Sequence, residues 1–371
     1  MQLGILGGGQ LGLMLARAAR DLGIESLVVD PKRDAVAARA ARHLALDWAD
    51  PAAQDALAAC DVVTYEFENV PSAAVEALRA RVPVHPAPAA LALSGDRIVE
   101  KTLFRDLGVE TAPFAAVDSR ADLDRAVDEI GLPAILKTRR FGYDGKGQAL
   151  LRSPADLDAA WARLGERPLI LEGFVAFDRE VSLIAVRAAD GATRVWPATE
   201  NEHVDGILHL SRAPAADLAE ATFASGRRAL DAVMTKLDYV GVLVIEFFQV
   251  DDALVANEMA CRVHNSGHWT IEGAVTSQFE NHVRAVAGLP LGPTETEGFA
   301  AMLNLVGDVP PEGALDALES DPRIHVHLYG KSAAPGRKLG HVTVVADSLE
   351  AREAGVRRVL EVVGDRAARR D

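Results

Sequence analysis

The sequence predicts a mixed architecture, α/β at the N-terminus and α+β beyond it, and three observations carry that expectation. Residues 2–6 (Gln-Leu-Gly-Ile-Leu) read as a short strand running into Gly7-Gly8-Gly9-Gln10-Leu11-Gly12 and then a helix, the start of an α/β unit. Residues 240–250 are a continuous apolar run, Asp251-Asp252 is turn chemistry, and apolar residues resume at Leu254, so a buried hairpin is expected. Beyond Pro290-Leu-Gly-Pro293 short strands alternate with polar segments and end in a helix rich in Glu and Arg. A chain of 371 residues has the length for two or three domains with ample core.

In order along the chain, the N-terminal helix runs to about Leu22, and a second strand, Ser26 to Val29, ends at Asp30. Further strands are expected at residues 61–66 and 82–85, with Pro83, Pro86 and Pro88 marking the edge of this unit. A helix from Asp96-Arg97 to about Leu107 leads on to a strand at 134–137 that ends in Lys137. After the loop 138–148 come a helix at about 154–164, strands at 169–172 and 180–187, and an alanine-rich helix over 215–237. A helix beginning near Ser277 stops at Gly288, followed by strands at 301–306, 324–328 and 341–345 and the final helix, with a fraying tail from Arg366.

A net charge of −15 argues against nonspecific binding to nucleic acid or to acidic membranes. Cys60 and Cys261 have no metal-ligand spacing and suggest a reducing compartment. No basic leader or membrane-spanning apolar segment precedes the first strand, so a cytoplasmic protein is expected.

The chemistry concentrates in a few stretches. A three-residue loop, Asp251 to Ala253, would set Glu246 directly opposite Glu258, whereas a two-residue loop would set Glu258 opposite Ile245. Facing carboxylates repel unless a cation neutralises them, and Mg²⁺ takes one or two carboxylates plus nucleotide phosphates. The loop after Lys137, with Gly142, Gly145 and Gly147 and with Lys146, is phosphate equipment without the Walker pattern, and Lys101 is a third cation candidate. Glu172-Gly173-Phe174-Val175 reads as a strand edge able to offer main-chain groups to an adenine, and Glu180 can take ribose hydroxyls. Arg262 can clamp an oxyanion bidentately, and His264 and Asn265 can orient or deprotonate a small acid. Zinc is a competing use of His264 and His268, although Gly267 breaks the helix geometry and no third ligand is evident. Lys331, Arg337 and Lys338 form a basic turn suited to a substrate phosphate. The N-terminal glycines with Asp30 fit a dinucleotide fingerprint, and they equally fit a tight turn with no nicotinamide.

Together these stretches resemble the ATP-grasp superfamily, and within it the 5-(carboxyamino)imidazole ribonucleotide synthases. The resemblance rests on Gly8-Gly9-Gln10-Leu11-Gly12, residues 137–148, Asp205-Gly206-Ile207 after His203, Asn257-Glu258, residues 264–270 (His-Asn-Ser-Gly-His-Trp-Thr) and Pro335-Gly-Arg337-Lys338, in the family's order. It implies an ATP-grasp fold with a pre-grasp domain at 1–96, a grasp domain at 97–289 whose lid covers about 112–172, and a C-terminal domain at 290–371. It implies an ATP site of Arg97, Lys101, Lys137, Gly142, Tyr143, Asp144, Gly145, Lys146, Gly147, Gln148, Glu172, Gly173, Phe174, Val175, Glu180, His203, Asn257 and Glu258. Glu246 and Glu258 would hold Mg²⁺. Tyr143, Asp144, Lys331, Arg337 and Lys338 would contact the aminoimidazole ribonucleotide. Arg262, His264 and Asn265 would surround bicarbonate, with Lys137 also catalytic. The implied reaction is ATP- and bicarbonate-dependent carboxylation of the 5-amino group through carboxyphosphate, by a homodimer. Cys261 stands where the family commonly has proline, and Glu68 has no assigned role. The rival readings are a formate-using glycinamide ribonucleotide transformylase, a biotin-dependent carboxylase subunit, or an NAD-dependent oxidoreductase built on the N-terminal fingerprint.

Overall fold

A computed structural model describes residues 1–142 and 147–365. The first unit is a parallel sheet of β1 (Gln2–Leu6), β2 (Glu25–Val29), β3 (Arg42–Leu44) and β4 (Val62–Tyr65), in the order β3-β2-β1-β4. The strand expected at residues 82–85 is only a single parallel bridge from Val84 to Val63. Pro83 lacks a backbone donor, and so does Pro86, which leaves too few N–H groups for a ladder.

The glycine turn between β1 and helix Gln10–Asp21 is filled from within the chain. Glu66, just past β4, accepts the N–H of Gly9 at 2.5 Å and of Gly12 at 2.7 Å. Asp30 accepts the N–H of Gly8 and of Lys32, each at 2.8 Å. The helix N-terminus that would hold a pyrophosphate thus holds a carboxylate. The acidic residue that would hold a ribose caps the loop instead, and the nicotinamide reading is overturned.

The second sheet is antiparallel, with β5 (Phe114–Val117), β6 (Ala134–Thr138), β7 (Gln148–Leu151) and β8 (Leu169–Gly173) in the order β5-β8-β6-β7. Helix Arg120–Ile130 covers it, capped by Ser119 and stopped at Gly131, whose φ of 87° suits only glycine.

The large sheet holds β9 (Arg179–Arg187), β10 (Thr193–Val195), β11 (Thr199–Val204), β12 (Ile207–Ala213), β13 (Gly241–Val250), β14 (Ala253–Ala260), β15 (Phe299–Val306), β16 (Ile324–Leu328) and β17 (Lys338–Ala346). Its order is β14-β13-β9-β11-β12-β15-β17-β16, with β10 against β9, so the C-terminal strands extend the same sheet. The alanine-rich helix is Glu220–Lys236, shorter at its N-terminus than the sequence suggests.

Two-residue alternation packs both faces of this sheet. Val181, Leu183, Leu243, Ile245 and Phe247 enter one core cluster with the N-terminal unit and helix Glu220–Lys236. Ile184, Val186, Val242 and Val244 enter another, with helices Gln10–Asp21 and Gln278–Val286.

The β13–β14 hairpin departs from its expected form in an informative way. Val250 pairs with Ala253, so the loop is the two residues Asp251-Asp252 rather than three, with Asp251 at a φ of 50° that aspartate tolerates. Such a loop alone would set Glu258 opposite Ile245. The ladder instead steps from Phe247↔Ala256 to Glu246↔Glu258, leaving Asn257 as a β-bulge. Before the bulge Ala256 shares the Phe247 core, and after it Met259 takes that side while Ala260 joins the other. The extra residue therefore turns Glu258 onto the Glu246 face.

Candidate active site

A cavity of about 630 Å³ opens where the units meet. Gln10, Glu66 and Glu68 line it from the first unit, Glu246 and Glu258 from the large sheet, Arg262 and His264 from the segment after β14, and Lys331, Arg337 and Lys338 from the C-terminal turn.

The facing carboxylates are held in unlike electrostatic states. Burial would raise the Glu258 carboxyl, but Arg97, donating from Nη1 to Oε2 at 2.8 Å, outweighs it with help from Lys137 and Lys101. Glu258 therefore sits well below the usual carboxylate range. Arg97 opens helix Arg97–Asp106, whose cap Asp96 accepts the Ile98 N–H. Glu246 has no such partner: burial, then the Glu258 charge, push it up to about 7, and the His264 ring stands beside it with Nε2 at 3.4 Å. A third carboxyl, Glu100, accepts the Met259 N–H at 3.0 Å and is pushed up to about 8, by burial first and Glu258 second. Asn257 on the bulge has a buried Oδ1 without a protein partner. The wall thus concentrates carboxylates with too little positive charge among the protein groups, the donor set of a hard cation completed by phosphates.

Lys101 and Lys137 converge on Glu172, with Nζ to Oε2 distances of 3.4 and 3.0 Å. Burial opposes ionisation of Glu172, but the two lysines hold it at about 2. Lys101 is 1% exposed and donates to the Ala256 carbonyl at 3.1 Å. In this structure its ammonium is engaged within the protein and braces the strand beside the bulge. Glu172-Gly173 is likewise not a sheet edge, because β8 lies between β5 and β6. The N–H groups of Gly173 and Phe174 already donate to Pro113 and Pro133, and Phe174, followed by Val175, stands 45% exposed. Glu180 accepts from His203 Nδ1 at 2.6 Å, so these two expected nucleotide residues form one pair. Burial alone would lower His203, but the Glu180 contact raises it.

Of the glycine-rich loop, Gly142 lines the cavity, Gly147 has a φ of 73°, and Gln148 pairs with Lys137 at the start of β7. Tyr143, Asp144, Gly145 and Lys146 lie outside the described residues.

The segment after β14 is braced by Gln278, whose amide accepts the His264 N–H at 2.9 Å and donates to the His264 carbonyl at 2.6 Å. Arg262 makes an ion pair with Glu68 at 2.5 Å and donates to the Val263 carbonyl, while its buried Nε has no protein partner. Burial, then Arg262 and Lys338, push His264 well below its ordinary value, so it is neutral. The Ser266 N–H points at Nδ1 at 3.3 Å, which assigns the ring proton to Nε2, facing Glu246. Asn265 is anchored by a partner the sequence did not suggest. Its amide is clasped reciprocally by Asn304, at 3.1 and 2.8 Å, and Asn304 also donates to the Leu208 carbonyl. It ties the segment to the C-terminal strands while still lining the cavity. His268 is buried against His341 and Phe279, and no group of three metal ligands occurs among the described residues, so the zinc reading gains nothing.

The basic turn divides. Lys331 donates to Gln10 Oε1 beside Glu66, and Arg337 bonds the Ser332 carbonyl and hydroxyl at 3.0 and 2.8 Å. Lys338 instead acts electrostatically on Glu246, His203 and His264. Sequence reasoning missed Glu66, Glu100, Gln278 and Asn304 and left Glu68 unassigned. Only the Glu66-Phe-Glu68-Asn run at a strand end was a visible signal.

Comparison with known proteins agrees with this geometry. The model of the ribonucleotide synthetase preATP-grasp domain matches residues 1–95, that of the ATP-grasp domain residues 102–279, and that of the phosphoribosylaminoimidazole carboxylase C-terminal domain residues 300–355. The N5-carboxyaminoimidazole ribonucleotide synthase of Pseudomonas aeruginosa is 52% identical over 97% of this chain and 100% of its own length. The Thermus thermophilus N5-carboxyaminoimidazole ribonucleotide synthetase structure is 49% identical with a TM-score of 0.93, covering 98% of this chain and 99% of that one. An Aspergillus clavatus enzyme solved with ADP and 5-aminoimidazole ribonucleotide is 32% identical with a TM-score of 0.89, covering 98% of both chains.

The Glu246 environment makes a stability prediction. Its folded pKa of about 7 lies above the ordinary 4.5, so its contribution is fully present below pH 4.5 and is lost as pH rises through 7. Glu246→Gln cannot lose that proton. Without nucleotide or divalent cation, the variant should be more stable than the parent at pH 8 by about 1–3 kcal/mol, a gap that closes toward pH 4.5. Denaturant midpoints at both pH values measure this, and a variant less stable at pH 8 contradicts the reading.

Proposed function

The chain belongs to the N5-carboxyaminoimidazole ribonucleotide synthase family of ATP-grasp ligases, and on that premise we propose how its own residues divide the work of carboxylating 5-aminoimidazole ribonucleotide. The observation that carries the proposal is one cavity lined together by the paired carboxylates, Arg262 and His264, and the basic turn. The nucleotide would lie between the lid sheet and the large sheet. Its phosphates would approach Arg97 and Lys137, its ribose the Glu180–His203 pair, and its base the 172–175 segment. Gly142, Gly147 and Gln148 would stand near the phosphates by the family resemblance.

Glu246 and Glu258 suit Mg²⁺, because two carboxylates with phosphate oxygens complete its preferred oxygen shell. When bound, the ion supplies charge neutralisation to the phosphates. Bicarbonate would be held by Arg262 and neutral His264, which line the cavity beside Glu246 and Glu258. The neutral ring orients the acid as a donor and leaves the arginine as the fixed charge. One bicarbonate oxygen attacks the γ-phosphorus as its bond to ADP breaks, giving carboxyphosphate. The 5-amino nitrogen of the ribonucleotide then attacks the carboxyl carbon, phosphate leaves, and the amine gives up a proton. Water must be excluded while carboxyphosphate exists. Lys331 and Arg337 would take the ribonucleotide phosphate. Lys338 would act nearer the reacting groups than the sequence suggests, since its charge falls on Glu246 and His264.

A cytoplasmic location agrees with the two free, buried cysteines, and no helix among the described residues is long and apolar enough to cross a membrane. A homodimer is proposed on the family resemblance alone.

Two substitutions separate the roles. Glu258→Gln should abolish bicarbonate- and aminoimidazole ribonucleotide-dependent ADP release while leaving the fold intact, because one carboxylate no longer neutralises the bound ion. Near-normal ADP release by the folded variant at saturating Mg²⁺ would sink the metal assignment. Arg337→Ala should weaken ribonucleotide binding by about 1.5–3 kcal/mol, roughly 10- to 150-fold, with ATP affinity unchanged. Arg337→Lys should recover only part, since an ammonium cannot reproduce the planar fork. Titrating each substrate with the other saturating reads the difference, and a loss confined to ATP would assign this arginine elsewhere.

A further inference from the structure

We propose that Arg39, on the first unit, is a positioning residue that fixes the backbone from which Lys331 reaches the ribonucleotide phosphate. Arg39 closes the 3₁₀ turn Val36–Arg39, itself tied to the glycine loop by the Ala37 N–H donating to the Gly8 carbonyl at 3.0 Å. Its Nη1 donates to the Tyr329 carbonyl at 3.2 Å and its Nη2 to the Gly330 carbonyl at 3.1 Å. One planar guanidinium on two consecutive carbonyls sets both the position and the tilt of the peptide that precedes Lys331. Gly330 suits this contact twice over: its φ is 65°, and any side chain there would collide with the Arg39 guanidinium.

The two ends of the basic turn are anchored differently. Its far end is held within the C-terminal unit, where the Gly307 N–H donates to the Arg337 carbonyl at 2.9 Å and the Ala334 N–H to the Gly307 carbonyl at 3.1 Å. Its near end is held within that unit by the Tyr329 N–H donating to the Leu339 carbonyl at 2.8 Å, and beyond Tyr329 the Gly330 carbonyl is held across the unit boundary by Arg39. With that peptide fixed, the Lys331 ammonium reaches Gln10 and lies over the Tyr329 ring, 5.7 Å from its centroid. Arg39 does not line the cavity, and on this reading it acts through Lys331. A flexible lysine stem held at its root loses less freedom when the phosphate binds, and that saving appears in substrate affinity.

The inference rests on the reading of Lys331 as a phosphate ligand, and the test separates the two. Arg39→Ala should raise KM for 5-aminoimidazole ribonucleotide about five- to twentyfold, with kcat and the KM values for ATP and bicarbonate unchanged. Arg39→Lys should restore part of the loss, because one ammonium cannot span both carbonyls in a fixed plane. Combined with Lys331→Ala, Arg39→Ala should add less than about twofold, since coupled residues are not additive. If Lys331→Ala alone leaves KM unchanged, the phosphate reading fails and this inference with it. If Lys331→Ala raises KM but Arg39→Ala does not, or the two effects multiply independently, the positioning role alone is overturned. A fall in kcat and in affinity for all three substrates, with a lowered thermal midpoint, would assign Arg39 to general domain docking and overturn it as well.

Discussion

One extra residue in one strand sets up the chemistry of this molecule. Asn257 bulges from β14, and the two-residue alternation that had sent even-numbered side chains into one core sends Glu258 to the opposite side, against Glu246. The cost is two carboxylates facing each other at the edge of a hydrophobic core, which an ordinary sheet avoids. The surroundings divide that cost unequally. Arg97 secures Glu258 as an anion, while Glu246 and Glu100 hold their protons more tightly than ordinary carboxyls. On the proposed reading, a cation arriving with nucleotide phosphates would offset the repulsion between the facing carboxylates. Function and stability oppose each other at this site, as they do where like charges are gathered for a ligand.

The N-terminal unit shows how little a fingerprint commits a fold to a ligand. Its glycines make the tight turn and free helix N-terminus that a dinucleotide would use. Glu66 and Asp30 occupy those donors from within, and the turn becomes a rigid wall that presents Gln10 to the basic turn. The groups that carry chemistry lie elsewhere on the same framework.

Much of the fold was legible because its signals are local. The apolar run of β13, the Asp96 and Ser277 caps and the proline pairs at the unit edges each report on a few adjacent residues. The pairing of Glu246 with Glu258 was anticipated through a three-residue loop, and the outcome held while its cause was different. Periodicity counts residues and cannot see which one is left unpaired. Lys101 and Lys137 look alike in sequence, both cations near glycine-rich or helical segments. Only the distant Glu172 and the Ala256 carbonyl reveal that Lys101 is a buried brace. Asn265 sits in the most polar run of the chain, and its amide is clasped by Asn304, on a strand placed beside it only by the continuous sheet. The strand expected at residues 82–85 failed for a local reason that was visible, two prolines without donors.

The central claim is that the bulge-paired carboxylates seat the divalent ion that accompanies the nucleotide. Titration of Mn²⁺ into the protein with saturating ADP, followed by electron paramagnetic resonance of the free ion, tests it without requiring turnover. The account predicts that the parent protein takes up Mn²⁺ in an ADP-dependent manner, and that the folded double variant Glu246→Gln/Glu258→Gln binds ADP but takes up Mn²⁺ at least about tenfold more weakly. Equal Mn²⁺ uptake by the double variant would contradict it.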